Sequence, residues 1–328
     1  MASPKDVLFR SPDFWYTDGS VVLQAGTTLF RVHMGILSEH SGFFKDLFSL
    51  PQPTTPDPEL YEGCPLIAVH DNPDDWRHYL KAIYRWSYFR PGRSAKFEVV
   101  AAIARLSTKY DSPYLRQRVI DHLMSTFPAD LAGWARRDKL RLIPPLEGGF
   151  GPTLNAYLPL ATSCNIRILI PPLYWVCSQY PLAEMIPNLQ SLALNESEKW
   201  DICTTFLVGR EKLREAEATH ILAFLKWDFS FTNSCYPRCG NKEQMHKARS
   251  RAIEDVAGPE TFARWCLGHA SEAGSSLGFC RECSKSIEEA IQEGYAKVWE
   301  KLPEYFGFPG WETLKAEASV FDESSLEE

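Results

Sequence analysis

The chain has 328 residues, 45% of them hydrophobic and 23% charged, an ordinary globular composition that excludes disorder as the main state. A length of this order supports two or three domains with a core that needs no covalent staples. The formal net charge of −7 excludes nucleic-acid binding driven by bulk electrostatics, and nine cysteines, an odd number and mostly scattered singly, make a poor disulfide framework.

The opening MASPKDVLFRSPDF has no apolar leader, so an intracellular protein of the cytoplasm or nucleus with reduced thiols is expected. The longest apolar run, ILIPPLYWVC at 168–177, is too short for a membrane span and carries two prolines. The first ordered signals come at 18–33. Ser20 to Gln24 and Thr28 to His33 read as strands around an Ala25-Gly26 turn, with Phe30 and Val32 on one face. The period then becomes helical through Ile36, Leu37, His40, Phe43, Phe44, Leu47 and Phe48, and Gly42 divides the run into two short helices. PQPTTPDPE at 51–59 holds four prolines and reads as a loop. Leu66 to His70 reads as a strand. Asn72-Pro73 sets an N-cap followed by proline at the first helical position, ahead of Trp76, Tyr79, Leu80 and Ile83. A helix from Lys96 to Lys109 is apolar nearly all round and therefore central. Ser112-Pro113 starts the next, with its stripe at Leu115, Val119, Leu123 and Phe127.

After Phe127 the texture changes. Residues 129–195 read as short helices with a loop at LEGGFG (146–151), and Glu196 to Trp227 as helix. Residues 230–283 are irregular. Ser286 and Glu289 form the pattern of a capping box at the head of a helix that runs to Glu300. The acidic tail FDESSLEE closes the chain.

The order strand, strand, helix pair, strand, helix, helix pair, carried by DGSVVLQAGTTLFRVHMGILSEHSGFFKDLF at 18–48 and ARLSTKYDSPYLRQRVIDHL at 104–123, resembles the BTB/POZ domain. The matching features are Asp18 before the first strand, Phe30 and His33 at the end of the second, Leu37-Ser38, the Ser41-x-x-Phe44 step and the Tyr110-Asp111 turn. The chain as a whole resembles the long BTB proteins of mushroom-forming fungi. The resemblance implies an α+β fold, with a BTB/POZ-like interaction domain over 14–127 and a mainly helical remainder over 128–230 and 231–316. It also implies a non-catalytic adaptor or scaffold whose partners are other proteins, itself as a homodimer among them. A cullin-type ubiquitin-ligase scaffold is an alternative partner. The hydrophobic-x-Glu pattern that goes with it is met by Leu60-Tyr61-Glu62, a pattern that a loop end leading into a strand meets equally well. Many members carry Tyr-Thr-Gly after the third helix, where this chain has Tyr84-Arg85-Trp86.

Cysteine pairs supply the other sharp feature. Cys235-x-x-x-Cys239-Gly240 and Cys280-x-x-Cys283 match a turn pair and a helix-start pair able to close a four-thiolate shell around one structural zinc ion. Cys266 and His269 form a competing pair, and ordinary reduced cysteines packed in a core are the competing account. A redox role for Cys280-x-x-Cys283 lacks a thioredoxin-like strand–helix context. Two basic clusters, Arg136/Arg137/Lys139/Arg141 and Lys242/His246/Lys247/Arg249/Arg251, leave open a zinc-containing nucleic-acid-associated regulator, against which the acidic whole argues. His33 and His40 read as packed, hydrogen-bonded core residues. No Walker A string, G-x-S-x-G elbow or His-Glu-x-x-His is present, so the sequence does not read as an enzyme.

Overall fold

The computed structural model describes residues 7–50, 60–226 and 281–319, together with 246, 247 and 250. The fold is mixed α and β: one small sheet and many helices. Strands β1 (Phe9–Trp15), β2 (Val21–Ala25), β3 (Thr28–Val32), β4 (Leu60–Tyr61) and β5 (Cys64–Val69) stand in the order β1-β3-β2-β5-β4. β2 runs antiparallel to β3 through a tight turn at Gly26, whose φ of +55° suits glycine, and parallel to β5. Alternation along β2 sends Val21, Leu23 and Ala25 into the main core, with Phe30 and Val32 from β3, and sends Val22 to the other face, where it meets Leu29 and Cys64. That second face is closed by Trp15 and Tyr61, whose rings meet edge to face at 6.0 Å. Those residues belong to the two edge strands, so the sheet curls until its edges touch. The Arg10–Glu62 ion pair joins the same edges.

β1 corrects the expectation that the first ordered signals come at 18–33. Pro12 lies within β1, an edge strand whose pairing with β3 breaks register between Arg10 and Trp15, so no ladder bond is asked of the proline. β4 was also not anticipated. It pairs with β5 across Glu62-Gly63, both at positive φ (49° and 79°), a two-residue hairpin loop. No strand follows Tyr84 among the described residues; 86–93 form turns.

Helices α1 (Met34–His40) and α2 (Gly42–Ser49) divide at Gly42 as expected. α3 (Pro73–Tyr84) starts where Asn72 Oδ1 accepts the Asp74 N–H at 2.7 Å. α4 (Phe97–Lys109) is buried along most of its length between α3 and α5 (Pro113–Thr126). The remainder comprises α6 (Leu131–Leu140), α7 (Phe150–Ser163), a 3-10 turn at Arg167–Leu169, α8 (Ile170–Cys177), α9 (Leu182–Gln190), α10 (Glu196–His220), a 3-10 turn at Ile221–Leu225, α11 (Arg281–Glu300), α12 (Leu302–Tyr305) and α13 (Trp311–Ala318). The run ILIPPLYWVC therefore supplies a buried helix, α8, with its prolines in the first turn, where no intrahelical donor is missed. No helix among the described residues is long and apolar enough to cross a membrane.

Another expectation fails locally. Ser286 does not cap α11: the helix is already formed at Arg281, and the Ser286 hydroxyl donates back to the Glu282 carbonyl at 3.3 Å. The Ser-x-x-Glu spacing recurs inside any helix, and only the preceding turn distinguishes a cap from an interior serine. The buried stripe Ile287, Ile291, Val298, Trp299 is as expected. A continuous apolar core runs from Phe14 on β1 to Leu314 on α13. Phe97 and Phe127 pack on Tyr157 (4.6 and 5.1 Å between centroids), and the Trp299 indole N–H donates to the Ala129 carbonyl at 3.0 Å.

Candidate protein-interaction surface

The turn between α4 and α5 is fixed from several sides. Ser41, between α1 and α2, accepts the Phe44 N–H on its Oγ at 3.2 Å and donates the same hydroxyl to the Tyr110 carbonyl. The Gly42 N–H donates to the Asp111 carbonyl at 2.8 Å, and a Cβ on Gly42 would collide with the Asp111 carboxylate. Asp111 itself stands at φ +49°. The Tyr110 ring stacks on Phe44 at 5.2 Å, and its hydroxyl donates to Asp71 Oδ2 at 2.5 Å. Burial, and then the Asp71 carboxylate, raise the Tyr110 pKa. Tyr79, hydrogen-bonded to Ser112, is pushed up to about 12 by burial. Both phenols therefore stay neutral at physiological pH. Ser41→Ala removes a cap and leaves the buried Tyr110 carbonyl without that donor, so a loss of about 1–2 kcal/mol is expected in urea unfolding of the full chain. A change within the noise of an exposed serine substitution, such as Ser49→Ala, would show that Ser41 does not hold the turn.

This rigid turn carries apolar side chains that face solvent. On α2, Phe44 and Phe48 point inward and stack at 5.7 Å. Phe43, one residue round the helix, is 45% exposed, and Leu50, which caps α2, is 63% exposed, while Leu47 packs against the core. Phe43 meets the edge of Tyr110 at 5.3 Å, and Tyr114, 59% exposed, stands in the first turn of α5. Phe43 was legible only as part of one apolar run. Adjacent phenylalanines lie about 100° apart on a helix, so on a short helix packed along one side one of the pair tends to reach solvent. Tyr114 gave no such signal.

The other sequence features fall as follows. Leu60 and Tyr61 form β4, and Glu62 is a turn residue paired to Arg10, so the hydrophobic-x-Glu string is part of a hairpin. His33 receives its order from Tyr84: its backbone N–H donates to the Tyr84 hydroxyl at 2.9 Å, and Nδ1 lies 3.1 Å from the same oxygen. Burial lowers the His40 pKa, as for a packed histidine. Of the first basic cluster, Arg137 is half-buried over the Trp134 ring at 4.2 Å, Arg141 is half-buried and pairs with Asp138 at 3.0 Å, and Arg136 and Lys139 are exposed. Cys235, Cys239, Cys266, His269 and Cys280 lie outside the described residues, as do Lys242, Arg249 and Arg251. Cys283 lies inside them, buried on the α11 stripe that continues through Ile287 and Ile291. Among the described residues no group of three or more His, Cys, Asp or Glu is placed to hold a metal ion.

A cavity of about 350 Å³ lies between α5, the 3-10 turn at 167–169 and α13. Its polar groups satisfy one another: Arg167 donates to both Glu317 oxygens (2.9 and 3.1 Å), and Arg116 donates to the Asn165 carbonyl at 3.3 Å. Ile166 and Leu314 form its apolar wall, and no Ser, Cys or His lines it. No family model, curated protein or solved structure matches the chain.

Proposed function

We propose that the chain is a non-catalytic adaptor or scaffold that binds other proteins, itself included, through an N-terminal domain of BTB/POZ type. The observation that carries this reading is that Phe43 and Tyr114 expose apolar side chains on the two helices that flank a turn fixed by Ser41, Gly42 and Tyr79. A pre-organised apolar patch beside a fixed turn loses little entropy on docking, which is what a binding surface needs. The element order from β2 to α5 supports the same reading, since it follows the order in which the BTB/POZ resemblance arranges its parts. A cullin-type scaffold is the partner class for which Leu60, exposed at the sheet edge, would be a second contact.

The test uses the full-length protein. Sedimentation measures self-association, and titration against a purified cullin-type scaffold measures the alternative. Phe43→Asp and Tyr114→Asp should each weaken whichever association the wild type makes by about tenfold or more, the effect of losing about 1.4 kcal/mol of contact, with unchanged circular dichroism. A wild type that makes neither association at tens of micromolar, or associations indifferent to both substitutions, would remove this function.

A further inference from the structure

Two basic stretches of this acidic chain meet in the fold. No acidic residue lies between Asp75 and Glu98, and the stretch from Arg85 to Lys96 carries Arg85, Arg90, Arg93 and Lys96. The stretch from Arg136 to Arg141 adds Arg136, Arg137, Lys139 and Arg141 against Asp138 alone. Both are pinned to α5. Phe89 is buried with its ring stacked on that of His122 at 4.4 Å, and Arg118 Nη1 donates to the Phe89 carbonyl at 3.0 Å. His122 Nε2 lies 2.9 Å from the Arg93 carbonyl. The Leu142 N–H donates to Ser125 Oγ at 2.9 Å, and the Leu142 carbonyl accepts the Ala95 N–H at 2.9 Å. That last bond sets the turns after α3 beside the segment that leaves α6.

Part of this charge is already used. Arg85 and Lys81 share Asp13, at 3.3 and 2.9 Å, Arg141 holds Asp138, and Arg137 lies over Trp134. Arg90, Arg93, Lys96, Arg136 and Lys139 have no carboxylate partner among the described residues. Arg90 is half-buried, 3.6 Å from the centroid of the Trp86 ring, and the other four are exposed. Trp86, 71% exposed, and Leu140, 49% exposed, place apolar surface among these cations. Glu98, exposed in the first turn of α4, borders the patch. The two stretches together carry a net +7 in a chain of net −7, so all other residues sum to −14.

We propose that this patch docks a short acidic segment of a partner protein, one that carries a large apolar side chain among its carboxylates. Charge complementarity fixes the sign of the occupant, and arginine forks suit carboxylates. The rest of the surface fixes its length. Attraction to the patch is screened beyond about 8 Å at physiological ionic strength, so a longer polyanion gains nothing further and meets net-acidic surface. A nucleic-acid duplex carries a charge about every 1.7 Å along its whole length and cannot avoid that surface. An acidic peptide segment ends its charge where the patch ends. Trp86 and Leu140 then supply the apolar contact that exposed ion pairs alone do not provide. The site uses neither Phe43 nor Tyr114, so it gives the adaptor a second surface of different chemistry and does not depend on self-association.

The experiment uses full-length protein and a fluorescein-labelled peptide of eight glutamates around one central phenylalanine, followed by anisotropy. Wild type should bind with a dissociation constant on the order of tens of micromolar at low salt, weakening several-fold as salt is raised from about 50 to about 200 mM. Arg93→Glu combined with Lys139→Glu should weaken binding about tenfold or more, and Trp86→Ala about threefold. Lys212→Glu combined with Lys285→Glu makes the same change in net charge at exposed positions on α10 and α11, and should alter binding less than about twofold. All five positions are exposed, so the circular-dichroism melts should coincide with that of the wild type. Absence of binding up to about 500 μM protein, or equal losses in the two double variants, overturns the proposal. A labelled single-stranded RNA of similar length that binds more tightly than the peptide, and loses that binding with Arg93→Glu and Lys139→Glu, assigns the patch to nucleic acid and overturns the peptide reading.

Discussion

Trp299→Ala is expected to lower the unfolding free energy by about 3–5 kcal/mol, the range for removing a large, fully packed aromatic residue. Trp299 is buried on α11 and holds three segments at once. Its indole N–H donates to the Ala129 carbonyl, just past α5, at 3.0 Å. Its own carbonyl accepts the Trp311 N–H from α13 at 2.7 Å, and the two rings stack at 6.0 Å. Trp134 from α6 and Trp175 from α8 flank it at 5.2 and 5.6 Å. The alanine variant would leave a cavity and also a buried carbonyl without its donor, two costs that add. Because the core is continuous from Phe14 to Leu314, the loss should appear as one shifted transition. Urea unfolding followed by far-UV circular dichroism provides the check, with Trp86→Ala as the exposed control. Trp299→Phe should recover part of the loss, since it fills most of the volume but restores no donor. Equal midpoints for Trp299→Ala and Trp86→Ala would mean that the tryptophan cluster does not hold the regions together.

Helix starts were legible wherever a local device sets them. Asn72-Pro73, Ser112-Pro113 and the break at Gly42 all act within one turn, and all three stand where the sequence places them. Strand β1 was not legible, because Pro12 is tolerated only by virtue of the edge position, a fact of pairing between distant segments. Ser286 shows the converse error: a local pattern was present, but the turns before it were already helical. At the interaction surface the inward residues Phe44 and Leu115 were legible from their period. The outward ones were less so, since period groups apolar residues without saying which stripe another element covers. Trp200 is the plainest instance. The stretch from Glu196 is helical by sequence, but only the packing of α11 on the opposite face of α10 leaves this tryptophan in solvent.

Glycine substitutions separate local preference from packing, and two of them should move stability in opposite directions. In an isolated helix Gly→Ala is favourable by about 0.5–1 kcal/mol, because alanine has less chain entropy to lose. Gly35, on α1, is exposed, and a Cβ there would meet nothing within 4 Å, so Gly35→Ala should raise stability by about that amount. Gly294 is the buried crossing point of α11 over the end of α10. A Cβ there would stand 2.5 Å from the His220 carbonyl oxygen and 2.7 Å from the Ile221 Cα. Both are backbone atoms, so no rotamer change relieves the contact, and α11 must lift from the 3-10 turn that follows α10. The lift would loosen Ile291 and Val298, which share its buried stripe. Overpacking of this kind typically costs about 1–3 kcal/mol and exceeds the helix gain. Gly294→Ala should therefore lower the unfolding midpoint while Gly35→Ala raises it, measured on the same day in the same denaturant series. If both variants gain stability, α11 does not approach the α10 terminus at backbone contact, and the close crossing that positions Trp299 is absent.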